Sequence, residues 1–172
     1  PVLDLHGAGR ARQNGDKPAC RSARVTAPTH GDSVPMQVQR ITLGQFRRFE
    51  QAQWAPAPGI NLLLGANGIG KTSYLEALHL VSYGRSFRGR VRDGLIRQQQ
   101  PALDVFVQWL PDAGEDGNGL PRRGGLRHSG QEWTARLDGE DVAQLGQLCA
   151  ALAVVTFEPG SHVLISGGGE AR

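Results

Sequence analysis

The sequence has little lysine, little cysteine and no long apolar run. Only two of its basic residues are lysines, Lys17 and Lys71, so a position that keeps lysine suggests a role that arginine would not fill. The two cysteines, Cys20 and Cys149, lie far apart, which predicts neither a disulfide framework nor a metal site and favours a reducing cytoplasm. No apolar run approaches the roughly 18 residues of a membrane span. We therefore expect no membrane partner.

The remaining composition allows one folded domain. The chain has 172 residues, of which 39% are hydrophobic, and a net charge of +3 that permits nucleic-acid contact without requiring it. Residues 1–35 are rich in small polar residues and arginine and have almost no apolar periodicity, which predicts a disordered N-terminal extension. We expect Met36 to be the natural start and residues 36–172 to form the folded part.

One stretch, from Gly65 to Thr72, matches the phosphate-binding pattern G-x-x-x-x-G-K-[ST] at every fixed position. The apolar run at 60–64 predicts a buried strand before it. Apolar residues spaced three and four apart predict an amphipathic helix from Thr72 to about Tyr83 after it. Strand, loop and helix stand in the order that the motif requires. The candidate nucleotide-binding residues are Gly65, Ala66, Asn67, Gly68, Ile69, Gly70, Lys71 and Thr72.

These residue types predict binding of a nucleoside triphosphate. Glycines let successive backbone N–H groups turn towards phosphate oxygens, and the start of the helix adds unpaired N–H groups and the positive end of its dipole. Lys71 can reach the β- and γ-phosphates, and the Thr72 hydroxyl can complete a Mg²⁺ shell. None of these groups supplies a base for hydrolysis. The alternative is a glycine-rich turn that matches the pattern by chance.

Further β structure is predicted on both sides of this segment. Two short strands fill about 38–53, with a bend between them at Gly44 and Gln45. Another strand covers 103–109, and a hairpin runs through 125–137.

The last part of the chain predicts a helix and a strand. After a turn at 138–139, Asp141 is expected to cap a helix on whose apolar face Cys149 is a small core residue. The apolar run at 152–157 predicts a buried strand that ends at Glu158.

A basic segment follows the predicted helix at 72–83. Arginines are dense between Arg85 and Arg97 and are interleaved with Phe87, a composition that suits contacts to nucleic-acid phosphates and bases. A solvated basic loop explains the same composition equally well. The candidate DNA-binding residues are Arg85, Arg88, Arg90 and Arg92.

Together these features resemble the N-terminal part of the RecF family, DNA replication and repair ATPases related to the ABC-type heads of SMC proteins. The resemblance covers residues 36–172. Its carriers are the opening strand with Phe46-Arg47-Arg48-Phe49, GANGIGKTSYLEAL from Gly65, GRSFR from Gly84 and VVTFEPGSHVLISGGGEAR from Val154. The combination is far more specific than the phosphate loop alone.

The resemblance implies an α/β fold: the N-terminal lobe of a P-loop ABC-ATPase-like head, incomplete here, with a mixed sheet packed around the phosphate-loop helix. It implies ATP and Mg²⁺ as cofactors, with Arg47 near the nucleotide. It also implies binding to single-stranded DNA and to single-strand/double-strand junctions, and an ATP-dependent homodimer of the full-length protein. RecR and RecO are the implied partners, in recombinase loading at gaps and in the SOS response.

Two features depart from the family pattern. Phe157-Glu158-Pro159 reverses the usual order of proline and acid, so no nucleotide-sensing role passes to Glu158. The Walker B acid and the signature motif that hydrolysis requires lie further towards the C-terminus in this family, which leaves open whether this chain has its weak ATPase activity. A P-loop kinase or another small-substrate NTPase is the alternative. A GTPase is excluded, because its Asn-Lys-x-Asp motif needs another lysine after Lys71.

Overall fold

The structure, a computed structural model, describes residues 2–4, 36–88, 94–112 and 119–157. Its strands are β1 (Val2–Asp4), β2 (Gln37–Phe46), β3 (Phe49–Trp54), β4 (Leu62–Leu64), β5 (Leu103–Leu110), β6 (Arg122–His128), β7 (Trp133–Leu137) and β8 (Glu140–Asp141), and its helices are α1 (Lys71–Tyr83) and α2 (Leu145–Ala151). The strand predicted at 103–109 and the hairpin at 125–137 are confirmed as β5 and as β6 with β7.

Six antiparallel strands form the larger sheet, in the order β3-β2-β5-β6-β7-β8. Alternate residues of β2 and β5 point to one face, where Ile41, Leu43, Val105 and Val107 are almost fully buried. Both helices contribute to the same core, and Leu148 of α2 is completely buried there. Among the described residues, one face of the larger sheet is therefore covered by helices and the other is open.

Helix α1 begins directly after the glycine loop. Its first residue is Lys71 and its last is Tyr83, which is followed by Gly84, a left-handed C-cap whose N–H donates to the Leu80 carbonyl at 2.8 Å. The predicted helix is thus confirmed almost to the residue. Its predicted apolar stripe is largely confirmed as well: Tyr74, Ala77 and Val81 are buried, while Leu78 is half-buried.

The strand before the loop is present as β4, but its predicted burial is wrong. Leu62 and Leu64 are 53% and 47% exposed, and Ile60 is 79% exposed. Within the described residues β4 pairs only with β1, in a separate parallel pair, so little covers its side chains. Strand β1 also differs from the disorder predicted for 1–35, whose other residues lie outside the described part of the chain.

The bend of the first hairpin lies further along than predicted. Gly44 and Gln45 are inside β2, and the turn is formed by Arg47 and Arg48. Phe46 and Phe49 are both buried and pair with each other across this turn. Burial of these two rings fixes where the chain reverses, and Arg47 takes a positive φ of 53° to allow it.

Two expectations for the last part of the chain are wrong. Asp141 lies in β8 and accepts a bond from Arg136 at 2.6 Å, while α2 starts at Leu145 with Gln144 as its N-cap. Residues 152–157 form no strand, and Val155 and Phe157 are 75% and 82% exposed, because no described strand pairs with them. The turn at 138–139 is confirmed. Glu158 lies outside the described residues.

Cys149, which was predicted to be a small core residue, lies on α2 and is only half-buried. Burial raises the pKa of its thiol above the ordinary value. A raised pKa keeps the thiol protonated at neutral pH, which fits a packing role. No helix in the described part of the chain is long and apolar enough to cross a membrane.

Candidate nucleotide-binding site

The glycine loop between β4 and α1 is shaped by backbone conformations that favour glycine. Gly68 and Gly70 have φ values of 79° and 111°, which a side chain would disfavour. Inside the loop the Ile69 N–H donates to the Ala66 carbonyl at 3.3 Å, and the Ser73 N–H donates to the Gly70 carbonyl at 3.0 Å. The chain therefore turns tightly and enters α1 at Lys71.

Lys71 folds back over this loop. Its ammonium group donates to the Gly65 carbonyl at 2.7 Å and to the Ala66 carbonyl at 2.9 Å. The side chain of Thr72, the next residue, is exposed. A positive charge and the hydroxyl of an exposed threonine thus lie at the start of α1, where the motif places them.

The N-terminus of α1 is open to an anion. Gly70 is its N-cap and supplies no side-chain cap, and the first turn contains no acidic residue. The first N–H groups of a helix have no partner within the helix, and they carry the positive end of its dipole. No side chain of this turn therefore competes with a phosphate for these donors.

The turn between β2 and β3 lies against the loop. Arg48 donates from its guanidinium to the Gly68 carbonyl. The Phe49 ring packs so closely on Gly70 that a Cβ there would lie 2.4 Å from the ring carbon Cζ. Phe49 in turn contacts Tyr74 of α1, with ring centroids 5.2 Å apart, and burial raises the pKa of Tyr74. The turn forms a wall of the candidate site.

A buried carboxylate joins this turn to α1. Glu76 is completely buried, and Arg47 binds it with two hydrogen bonds, Nε to Oε2 at 3.0 Å and a terminal guanidinium nitrogen to Oε1 at 2.6 Å. The Ser86 hydroxyl also donates to Oε1. Arg88 lies 3.8 Å from Oε2, and its N–H donates to the Ser86 hydroxyl at 3.0 Å. Glu76 thus has partners from the β2–β3 turn and from the segment after α1.

The structure brings the predicted loop residues 65–72 together as one continuous cradle. Arg47, expected near the nucleotide, contacts Glu76 on α1, and its place at the nucleotide stays a prediction. Arg85 and Arg88 are exposed just beyond α1, while Arg90 and Arg92 lie outside the described residues.

Sequence reasoning did not assign roles to three residues that meet at this site: Phe49, Glu76 and Ser86. It favoured a function for one arginine of the pair Arg47-Arg48 without deciding which. One signal was available for Glu76. It lies on the same helical face as Ser73, Ala77 and Leu80, all of which are buried. A carboxylate is almost never fully buried without a partner, so a charge at such a position points to a buried cation.

The loop residues fit a nucleotide with Mg²⁺. Mg²⁺ usually keeps several waters and takes one or two protein ligands together with phosphate oxygens, which a single threonine hydroxyl can complement. Within the described ranges, no group of three or more His, Cys, Asp or Glu residues could hold a metal ion without a nucleotide. Among the described residues, Thr72 is the candidate Mg²⁺ ligand.

Comparison with known proteins gives consistent matches. Residues 40–106 match a family model described as an AAA domain. The DNA replication and repair protein RecF of Stenotrophomonas maltophilia (strain R551-3) is 66% identical over 140 residues, which are 80% of this chain and 37% of that protein. RecF of Shewanella amazonensis is 36% identical over 137 residues, with the same two shares. The chain spans little more than a third of the length of these relatives.

Solved structures with the same fold include two of the recombination mediator protein RecF in the RecFOR pathway. The RecF-ATP structure has a TM-score of 0.71 and 23% identity, and the match covers 84% of this chain and 38% of that one. The RecF-ATPrS structure has a TM-score of 0.69 and 24% identity, with coverages of 81% and 36%. This likeness confirms the expected α/β fold of a P-loop ATPase head.

Proposed function

Because this chain belongs to the RecF family of DNA replication and repair proteins, we propose that residues 65–72 bind ATP with Mg²⁺ and serve the nucleotide-dependent part of DNA repair. The observation that carries the proposal is the cradle itself. An uncapped helix N-terminus, glycines at positive φ and the Lys71 ammonium all lie within one loop. Family membership disfavours the alternative of a small-substrate kinase.

Each group of the cradle has a separate task. The N–H groups at the start of α1 donate to phosphate oxygens, and the helix dipole favours their negative charge. The Lys71 ammonium exchanges the Gly65 and Ala66 carbonyls for phosphate oxygens, which bear more negative charge. The Thr72 hydroxyl binds Mg²⁺. Residues 65–72 contain no carboxylate, so they bind the nucleotide and do not activate water.

We further propose that the protein binds single-stranded DNA and single-strand/double-strand junctions. The candidate contacts are Arg85, Arg88, Arg90 and Arg92, of which the two described ones are exposed. In the full-length protein an ATP-dependent homodimer would act with RecR and RecO, load the recombinase at gaps and take part in the SOS response. This role requires a location with access to DNA, the cytoplasm.

The test is nucleotide binding by the full chain, measured by isothermal titration calorimetry with ATP and MgCl₂. Lys71→Ala removes a charge-assisted bond and is expected to weaken ATP binding about ten-fold or more. Lys17→Ala removes the other lysine and the same charge, so it is the matched control and should leave affinity unchanged. Equal affinity of wild type and Lys71→Ala would refute the proposal.

Thr72→Ala gives an independent check through Mg²⁺. The substitution is expected to weaken ATP binding when Mg²⁺ is present and to have little effect in EDTA, because the hydroxyl acts through the metal. Circular dichroism shows whether each variant keeps the fold. If the Thr72→Ala variant binds ATP with unaltered affinity in Mg²⁺, Thr72 does not contribute to the site.

A further inference from the structure

Glu76 is the one fully buried carboxylate among the described residues, and the nucleotide-binding role proposed above does not explain it. It lies on α1 little more than one turn beyond Lys71, on the face that meets the β2–β3 turn. Removing a carboxylate from water is expensive, and replacing a whole buried ion pair by well-packed apolar residues often gives a protein of equal or greater stability. Glu76 therefore calls for a role other than stability.

Glu76 connects the β2–β3 turn to α1. Arg47 is in that turn, and its fork meets the carboxylate with two bonds, at 3.0 and 2.6 Å. Two parallel bonds to a planar fork define direction as well as distance. The arrangement holds even though Arg47 takes the less favoured positive φ of 53°. These two bonds therefore hold the turn in one position and one orientation relative to α1.

The next residue, Arg48, points the other way. Its side chain is exposed, and its guanidinium donates to the Gly68 carbonyl in the middle of the glycine loop. Lys71 binds carbonyls at the start of the same loop, those of Gly65 and Ala66. Two cations thus lie on the phosphate loop, one from α1 and one from the turn.

We propose that Glu76 is a positioning residue for nucleotide binding: through Arg47 it holds the β2–β3 turn against the glycine loop, and this keeps Arg48 where it binds the nucleotide's phosphates. The inference rests on the proposed function of residues 65–72. It assigns contact to Arg48 and orientation to Arg47 and Glu76. Like the ammonium of Lys71, the guanidinium of Arg48 exchanges a backbone carbonyl for phosphate oxygens when ATP binds.

Simple electrostatics predicts the opposite effect of removing the Glu76 charge. Glu76→Gln removes a negative charge close to the loop and raises the local positive potential, which by itself strengthens anion binding. Glutamine, however, cannot accept both bonds of the Arg47 fork, because one of its two terminal atoms is a donor. If orientation dominates, Glu76→Gln weakens ATP binding; if charge dominates, Glu76→Gln strengthens it.

The decisive experiment is a double-mutant cycle on ATP affinity with Arg48→Ala, Glu76→Gln and the double variant in the full chain. We expect each single variant to weaken ATP binding roughly ten-fold. We also expect the double variant to be weakened about ten-fold and not about one hundred-fold, because Glu76 acts through Arg48. Additive losses, or tighter binding by Glu76→Gln, would overturn the inference.

Two further variants keep the test interpretable. If Glu76→Gln does not fold, Arg47→Gln takes its place in the cycle, since a glutamine amide can still donate one bond to Glu76; additivity with Arg48→Ala would again overturn the inference. Arg123→Ala, which removes an exposed arginine from the open sheet face, is the control and should not alter ATP affinity.

Lys71→Ala separates the two proposals. Loss of binding in Lys71→Ala with an additive cycle refutes the role of Glu76 alone, whereas no ATP binding by wild type refutes both.

Discussion

Gly70→Ala tests whether the β2–β3 turn is a fixed wall of the nucleotide site. Gly70 has a φ of 111°, and a Cβ there would lie 2.4 Å from Cζ and 2.9 Å from Cε2 of Phe49. The ring cannot withdraw freely, because Phe49 is only 6% exposed and packs against Tyr74. The substitution therefore adds both backbone strain and a collision.

The two contributions can be separated by a matched control. Gly59 has a φ of 79°, and a Cβ there would meet no described atom within 4 Å. Gly59→Ala should destabilise the protein by about 1–2 kcal/mol from left-handed strain alone. Gly70→Ala should cost more, because its φ of 111° lies further from the left-handed region and overpacking adds about 1–3 kcal/mol. The loss of unfolded-chain entropy favours alanine equally in both variants, so it cancels in the comparison.

Urea unfolding followed by circular dichroism measures both free energies, and ATP titration measures the effect on the site. We expect Gly70→Ala to be less stable than Gly59→Ala and to lose ATP binding, while Gly59→Ala binds normally. In a Phe49→Leu background the added penalty of Gly70→Ala should shrink, because the smaller side chain makes room for the methyl group. Equal destabilisation by the two alanine variants would refute the close packing of the turn on the loop.

Two further predictions concern the sheet and DNA binding. Gly124→Ala should destabilise the protein by about 1–3 kcal/mol in urea unfolding, because its Cβ would lie 2.7 Å from Leu148 and 3.1 Å from Trp109. Gly125→Ala, whose Cβ would meet only Arg136 at 3.9 Å, should be neutral or slightly stabilising; a reversed order would contradict the packing of α2 on β6. Replacing Arg85 and Arg88 by glutamine should lower single-stranded DNA affinity and reduce its salt dependence by about 0.7 per lost phosphate contact. The affinity can be measured by fluorescence anisotropy titrations over a range of salt concentrations. If the dependence of affinity on salt is unchanged, these arginines belong to a solvated loop that does not contact DNA.

The parts of this fold that depend on neighbours in sequence were predictable. The phosphate loop and α1 follow from a local motif and a helical period, and both are where the pattern placed them. Strand β5 is rich in β-branched and aromatic residues, and buried residues alternate in it with half-buried or exposed ones, so its identity was also clear from the sequence. In each case the information lies within about a dozen residues, on the scale of one helix or strand.

Burial depends on partners that are distant in sequence, and there the predictions failed. The apolar runs at 60–64 and 152–157 have the composition of buried strands, yet Ile60, Val155 and Phe157 are largely exposed. An apolar run shows what a segment can bury but not which segment will cover it. The bend of the first hairpin failed for a related reason. Glycine at 44 suggested a turn, but the positions of Phe46 and Phe49 in the core decided it.

The same distinction separates the motif from the site that it forms. The motif at 65–72 predicts a phosphate-binding loop because its backbone N–H groups, Lys71 and Thr72 are contiguous in sequence, so the class of ligand can be predicted locally. The wall of the cradle comes from a turn more than fifteen residues upstream, and neither Arg47 nor Arg48 reveals in sequence which one faces the loop. Their opposite directions follow from the turn geometry and from Glu76. A carboxylate at a core-facing position of a phosphate-loop helix is therefore a reason to look for an arginine that pairs with it, and the neighbour of that arginine is then a candidate for contact with the nucleotide.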